Sequence, residues 1–488
     1  MKISSVKLGS ASIAFAKLYF LIAGYALYMS LAKFLTVEQF GIYGVVFSVV
    51  SLINMVLING TLQAVSRFVA NAPEEDANAI RRFCFLHQLV FASLFLLIYF
   101  ILTPWIADFL KDPSLLFYLR LGTLITFFYS FYAVNVGYLN GRHFFFRQAA
   151  LDVAFATLKV AAMVILVYVA TPKDKLTYAV YGFILAAALI FIASFVVTGF
   201  KFEKKDLDIT TKEYIHFAFA VLGIFFILNI FLSIDLILLK RLLPNFTANR
   251  NTGYYTAAQS IARIPFYLMN TAVLIMFPMV AKLGDIRSKK EEASKITTSA
   301  ISIVFVLLLG VVAVITPIGR EVVRVLYPQK LIFAGDLLPL LLIAMCLLSI
   351  MHLGLSMISS SGKATFAMLS FVAFFAIQIS LLFILIPKYG MFGAVVSTLS
   401  AAGIGALSVL FFLWHRFSTK YSILLIFKSF FIASIVFAIV YFVQPYLATH
   451  SKLWTVLLIA FTYSLYLVGL YFAKILDTSQ FQKKGAKG

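Results

Sequence analysis

The sequence predicts an all-α integral membrane protein with about fourteen transmembrane helices, forming two six-helix parallel-repeat lobes plus two C-terminal helices. Three observations carry that expectation. Of 488 residues, 62% are hydrophobic and 12% charged, with a mean hydropathy of +1.00; soluble domains average roughly 45–50% and 25%. The apolar residues come in blocks of about twenty separated by short polar loops, and they do not alternate as barrel strands do. Finally, three short landmarks recur in the same order in the two halves of the chain.

The apolar spans are centred near Gly24, Met55, Phe95, Phe128, Thr157, Ala188, Leu228, Asn270, Leu307, Leu347, Ala376, Ala402, Ile435 and Thr462. An even number of crossings places both termini on one face. Lys and Arg concentrate in the loops on the N-terminal side, most densely at Lys201–Lys205 and Lys282–Lys295, so that side is read as cytoplasmic. The outer cations Lys240, Arg241, Arg320 and Arg324 run against this assignment. Met1–Ser10 lacks a basic–apolar–cleavage pattern and reads as a retained cytoplasmic lead.

The repeat pairs Phe40–Tyr43 with Thr252–Tyr255, Asn140–Arg142 with Ser361–Lys363, and Tyr181–Gly182 with Phe392–Gly393, all at nearly one spacing. Six spans per repeat is even, so the halves run parallel. The boundaries are an N-terminal lobe at 1–200, a polar linker at 201–212 and a C-terminal lobe at 213–418. The last two helices occupy 419–474, and a cytoplasmic tail follows at 475–488.

Several function classes are excluded on these grounds. No loop is longer than about fifteen residues, which leaves no room for a soluble catalytic or nucleotide-binding domain. No phosphate-binding lysine motif or nucleophile–base pair appears, so no enzyme activity and no cofactor are expected. Cys84 and Cys346 lie inside apolar runs and offer neither a disulfide framework nor a metal site. The net charge of +21 is spread over many short loops, where orientation and anionic headgroups account for it better than nucleic acid does.

The segment Leu31–Gly44 (LAKFLTVEQFGIYG), followed by an apolar run ending Ala64–Phe68 (AVSRF), resembles the start of a polysaccharide-exporting flippase. The family is the polysaccharide transporters of the multidrug/oligosaccharidyl-lipid/polysaccharide exporter superfamily, which includes O-antigen flippases. The resemblance implies two lobes around a cavity lined chiefly by helices 1, 2, 7 and 8, with lipid-linked glycans turned over by alternating access.

The same helices hold a large share of the polar residues at membrane depth. The sequence reads as a helix near 214–243, a polar loop at 244–252 and a helix near 253–281. Asp235 and Arg263 then both lie about 12–15 Å from one membrane face. Charges at that depth belong against protein or water, not lipid. Either the two pair with each other, or Asp235 pairs with Lys240 or Arg241 on its own helix. Tyr255, Gln259 and Arg263 share one helix face, and Asn59, Gln63 and Arg67 share another, with Asn54 deeper. Lys17 lies about two turns into the first helix. Cations and amides in this arrangement suit a pyrophosphate and sugar hydroxyls; Lys17 and Arg67 read equally as cations reaching cytoplasmic headgroups. Asp152 and Lys159 share a face of helix 5 and read as a structural pair or an interlobe contact, His87, His216 and His352 as packing or interfacial histidines, and Pro265 and Pro278 as a hinge.

The expected function is a flippase for a polyprenyl-pyrophosphate-linked oligosaccharide in cell-surface polysaccharide biosynthesis. Its expected partners are that lipid-linked oligosaccharide, membrane lipids, Na⁺ or H⁺ as a coupling ion and the enzymes of polysaccharide assembly, with no nucleic acid. It would reside in the cell membrane with both termini cytoplasmic. The rival readings are a cation-coupled multidrug exporter, which would favour several cavity acids, and a membrane-embedded polymerase or ligase, which would need a large outer loop.

Overall fold

The computed structural model describes residues 3–205, 207, 210–269 and 290–475. Among these residues the chain is helical, with no strand. In the N-terminal half, α1 (Ile3–Phe34), α2 (Val37–Ala70), α3 (Ala77–Phe109), α4 (Leu115–Gly141), α5 (Phe145–Val169) and α6 (Lys175–Thr198) follow one another through tight turns. After the segment around 201–210 come α7 (Thr211–Leu242) and α8 (Asn245–Ala262). The remainder holds α9 (Lys290–Ile315), α10 (Gly319–Leu326), α11 (Ala334–Ile358), α12 (Ala364–Phe417), α13 (Ile423–Thr449) and α14 (Lys452–Phe472). Ten segments among the described residues are long and apolar enough to cross a membrane, which makes this a multi-pass membrane protein. All the expected span centres lie in helices except Asn270. Asn270, Pro278, the basic cluster up to residue 289 and most of the C-terminal tail lie outside the described residues.

Local chemistry sets the helix starts. Thr36 and Gln39 form a reciprocal capping box at the head of α2: each side chain accepts the other's backbone N–H, both at 3.1 Å. Thr210 and Glu213 repeat the device at α7, with both bonds at 3.2 Å. Each such cap satisfies donors that a helix start otherwise leaves open, worth about 1 kcal/mol. The 84-residue stretch Ala334–Phe417 is divided by two glycines with positive φ, Gly362 at 85° and Gly390 at 57°. There a side chain would cost about 1–2 kcal/mol, so the chain turns where no Cβ opposes it.

The chain forms two compact units, Met1–Gly253 and Tyr254–Gly488. In the first, α2 is the axis, with α4, α3 and α7 packed around it, while α5 bridges α1 and α6. Its core joins Ala64, Val65, Tyr132, Val136, Leu151, Phe155 and Ile190. Because lipid is as apolar as these side chains, close packing and hydrogen bonds, not burial alone, hold such helices together. The first pair of repeat landmarks illustrates this. A Cβ on Gly41 would overlap the backbone carbonyl of Asn249, and one on Gly253 would overlap that of Val37. Here α2 and the first turns of α8 meet backbone to backbone.

In the second unit α11 lies along α12, and the two C-terminal helices pack on α9 and α10. The Tyr466 hydroxyl donates to the Val306 carbonyl at 2.8 Å and its ring faces Gly310.

One expected boundary is overturned. Residues 244–252 are not a loop: α8 begins at Asn245, with the Thr247 and Ala248 N–H groups bonded to the Pro244 carbonyl at 3.0 and 2.9 Å. The polar run Asn245–Asn251 hid this helix from a reading based on apolar blocks. Counted from the true helix start, Arg263 lies about 27 Å along α8, so the equal depth of Asp235 and Arg263 does not follow from chain counting.

Candidate functional site

α2 is buried over most of its length, yet one stripe is not. Spacing of four residues puts Ser51, Met55, Asn59, Gln63 and Arg67 on one helix face, and all five are exposed or half-exposed. The stripe becomes more polar toward the C-terminal end of the helix. There the Arg67 guanidinium lies 4.3 Å from the centre of the Phe217 ring on α7, a contact worth about 0.5–1 kcal/mol at an exposed site. The Asn59 amide donates to the Met55 sulfur. Asn54 Oδ1, deeper in the helix, is buried and accepts no hydrogen bond among the described residues. A buried amide oxygen in that state calls for a water or a ligand donor.

Lys17 is paired with an acid on α5. Its Nζ lies 2.9 Å from Asp152 Oδ2 on α5, and the Tyr132 hydroxyl donates to the other carboxylate oxygen at 3.3 Å. The carboxylate side chain is 8% exposed and the lysine 60%. The expected partner of Asp152 was Lys159 on the same helix, and that pairing is not what forms. The Lys159 ammonium sits instead among the rings of Phe20, Phe183 and Phe155, at 4.8, 5.4 and 5.9 Å. Two residues seven apart on one helix lie about 10 Å apart along its axis, whereas α1 brings Lys17 directly across.

Asp235 is fully buried in α7, with its Oδ1 accepting the Leu236 N–H at 2.8 Å. The alternative partner considered for it, Lys240, is committed elsewhere. Lys240, 1% exposed, donates to Asp112 Oδ2 at 2.7 Å and to Asn249 Oδ1 at 2.5 Å. Asp112 also accepts from the Ser114 hydroxyl at 2.6 Å and the Ser114 N–H at 3.1 Å. Burial alone would raise the Asp112 pKa. The bonds from Lys240 and Ser114, with the lysine's charge, outweigh it and hold the carboxyl below its usual range.

In the second unit Tyr255 and Gln259 are buried, and Arg263 is half-buried one and two turns further along the same helix face. The helix breaks at Arg263 and resumes over 264–269. Pro265 explains the break, since it lacks an N–H for the Ile261 carbonyl and its ring crowds that carbonyl. Asp235 thus belongs to the first unit and Arg263 to the second.

Sequence reasoning passed over a further buried cation. Arg81, fully buried at the head of α3, donates from Nε to Asn135 Oδ1 at 3.0 Å and from Nη1 to the Gly199 and Thr198 carbonyls at 2.9 and 3.2 Å. Asn135 in turn donates to the Ser194 hydroxyl at 2.7 Å. This network ties α3 and α4 to the C-terminal end of α6, whose orphan carbonyls it satisfies. Asn135, a lone amide inside an apolar span, was the available signal. Among the described residues no cluster of His, Cys, Asp or Glu is arranged to hold a metal ion.

Comparison with known proteins supplies the frame for these groups. The sequence profile of a family described as polysaccharide biosynthesis protein matches residues 30–332. The chain shares its fold with the lipid II flippase MurJ in an inward closed conformation, at a TM-score of 0.75 and 14% identity, covering 95% of this chain and 99% of that one. It is also similar to a multidrug resistance MATE family transporter of the MOP superfamily. The inward-facing structure gives a TM-score of 0.66 at 17% identity, covering 81% of this chain and 94% of that one. The outward-facing structure gives 0.60 at 16%, covering 85% and 96%. No curated protein sequence matches this one.

Proposed function

The chain belongs to the polysaccharide biosynthesis protein family, and from that premise we propose that it is a flippase for a polyprenyl-pyrophosphate-linked oligosaccharide. It acts in the cytoplasmic membrane, with both termini on the cytoplasmic side. The observation that carries this reading is the polar, cationic stripe Asn59–Gln63–Arg67 left open on an otherwise buried helix. A polyprenyl tail is at home in lipid, but its pyrophosphate and sugars are not. Moving them across costs the loss of their hydration unless the protein replaces it. Amides supply donors and acceptors for sugar hydroxyls. Guanidinium groups bind phosphate oxygens in pairs with little hydration to shed. Asn54, with an open carbonyl oxygen, extends the row inward, and Tyr255, Gln259 and Arg263 are a second row on α8. Lys17 adds a cation whose charge Asp152 partly neutralises, and Asp235 adds a buried carboxylate on α7. No covalent step is required. The protein lowers the barrier by offering one hydrated binding surface to each side in turn, and a coupling ion would bias which side is open.

A second reading, a cation-coupled exporter, rests on the likeness of fold to the MATE transporters and would use Asp152 and Asp235 as ion sites. The discriminating experiment reconstitutes the full chain in liposomes carrying a fluorescent polyprenyl-pyrophosphate disaccharide, with a membrane-impermeant reductant reporting the exposed leaflet. Flipping is expected with the parent, falling at least tenfold in Arg67→Ala and Arg263→Ala and partly retained in Arg263→Lys. Ion-driven efflux of a cationic dye with no flipping would replace the first reading by the second.

A further inference from the structure

The second unit holds a cavity of about 400 Å³ that the proposed transport site does not use. It lies between α9, α11, the end of α12 and the first turns of α13, and its walls include Phe305, Ile350, Leu410, Leu425 and Phe430. Phe411 and Phe430 on its rim are 65% and 49% exposed, so it opens sideways as a groove on a flank that faces lipid. Trp414 and Tyr421 line this groove and also a second opening of about 720 Å³, whose other walls are His415, Ser418, Thr419, Lys420 and Ile423. One continuous surface therefore passes from apolar to polar and cationic at the α12–α13 turn.

That turn is built before any ligand arrives. Ser418 ends α12 with φ at 52°, and its carbonyl accepts the Ser294 hydroxyl of α9 at 2.6 Å. The Lys420 N–H donates to the Thr298 hydroxyl, also on α9, at 3.1 Å. The Thr419 hydroxyl donates to the Leu413 carbonyl at 3.0 Å, and the Tyr421 hydroxyl to the Leu410 carbonyl at 2.9 Å. These bonds fix the backbone of the mouth and leave the side chains of His415 and Lys420 exposed. Glu291, the acid whose charge interacts with Lys420, is itself paired with Lys295 at 2.9 Å.

We infer that the α12–α13 turn and the groove behind it are a site for an anionic glycerophospholipid, with one acyl chain along Phe305 and Leu425 and the phosphate against Lys420 and His415. Length and charge select this occupant. From Ser422 to Phe430 α13 rises about 12 Å, most of the ~15 Å of hydrocarbon in one leaflet. The cationic mouth then falls at the level where a phosphate sits above its acyl chain, with Trp414 beside it at the interface. A zwitterionic headgroup would bring a second cation against Lys420, whereas a net negative one does not. Exposed lysines at that level draw anionic lipid, which is concentrated in the cytoplasmic leaflet. Only the choice of leaflet rests on the proposed orientation of the chain; the site itself does not depend on what the protein transports.

The test uses the full chain in detergent with limiting phosphatidylglycerol or phosphatidylcholine, each carrying a diazirine in its acyl chain, followed by irradiation and peptide mapping. Peptides covering 301–305 and 421–430 should label more strongly than the open α14 face at Phe461 and Phe472, which are 65% and 78% exposed. Phosphatidylglycerol should label the groove about fivefold more than phosphatidylcholine, the discrimination of one lysine near an anionic surface. Lys420→Gln, a change at an exposed side chain, should remove that preference and leave weaker labelling by both lipids. Ser302→Phe, which fills the groove, should lower labelling by both. Labelling no stronger than at α14, no preference for phosphatidylglycerol, or a preference unchanged in Lys420→Gln overturns the inference. So does displacement of the label by glycerol 3-phosphate as readily as by unlabelled phosphatidylglycerol, which would make this a site for soluble phosphate. Displacement by undecaprenyl phosphate at lower concentration than by phosphatidylglycerol overturns it too, in favour of an isoprenoid site.

Discussion

Replacing Lys240 by Met tests whether the Lys240–Asp112 pair holds the first unit together. The pair joins the α3–α4 turn to α7, and Asn249 extends it to α8. Deleting one member of a buried pair costs about 3–5 kcal/mol because the other charge is stranded. Asp112 would be stranded only in part: its side chain is 14% exposed and both Ser114 bonds remain. A cost of about 2–3 kcal/mol is therefore expected, or a drop of roughly 4–12 °C in melting temperature for a unit of this size. A thiol-reactive dye reads the transition, since Cys84 is fully buried in this unit; a Cys346→Ala background silences the other unit. Asp112→Asn added to Lys240→Met should recover at least about 1 kcal/mol, because a neutral amide is easier to leave there than a carboxylate. The folded pKa of Asp112 is depressed. Its contribution is therefore present above the unfolded value near about 3.9 and is lost as pH falls through the lower folded value. Parent and Lys240→Met should converge on acidification below that window. Additive single and double variants, or a Lys240→Met protein that melts with the parent at pH 7, would refute the reasoning.

Two further outcomes are expected. Gly41→Ala should lose most of the monodisperse protein recovered in detergent, because its Cβ meets the Asn249 backbone, while Gly24→Ala, with nothing within 4 Å, should behave as the parent; equal recovery of the two would show that the α2–α8 crossing yields. Phe246→Cys, 87% exposed at the head of α8, should react with an impermeant thiol reagent in intact cells, and Lys204→Cys only after permeabilisation; the reverse pattern would invert the proposed orientation.

Composition and block length were enough for the fold class, because no soluble helix bundle tolerates so few charges. The glycine landmarks were legible for a sharper reason. Where two backbones meet, only Gly fits, so Gly41 and Gly253 mark a contact that the sequence must respect. The polar stripe on α2 was legible as well, since i, i+4 spacing fixes a shared face whatever that face looks at. Helix rotation was not. In a span apolar on every side, lipid and core demand the same residues, and periodicity loses its signal. That is why Asp152 was matched to Lys159 on its own helix, when its partner Lys17 stands 135 positions away on α1, and why the partner of Lys240 lay 128 positions back, in a turn between helices.

The way the first unit houses its cations narrows where substrate can bind. Arg81 is enclosed by two carbonyls, an amide and the faces of Tyr138, Phe195 and Phe202. Lys240 has a carboxylate and an amide, and Lys159 has three rings. Each of these charges is already solvated by protein, so an incoming phosphate would have to break bonds that hold helices together before it gained any. Arg67 stands differently: it is exposed, it lies over one apolar ring, that of Phe217, and the amides of Asn59 and Gln63 continue its face along α2. Recruiting it costs about one cation–π contact and the helix frame stays intact. A binding surface that must form and dissolve in every transport cycle belongs on such residues, because a phosphate drawn to the buried cations would have to displace the contacts that hold their helices together. On that reasoning the proposed binding role falls to Arg67 and a structural one to Arg81, so Arg67→Ala should fold and fail to flip, whereas Arg81→Leu should fail already at folding.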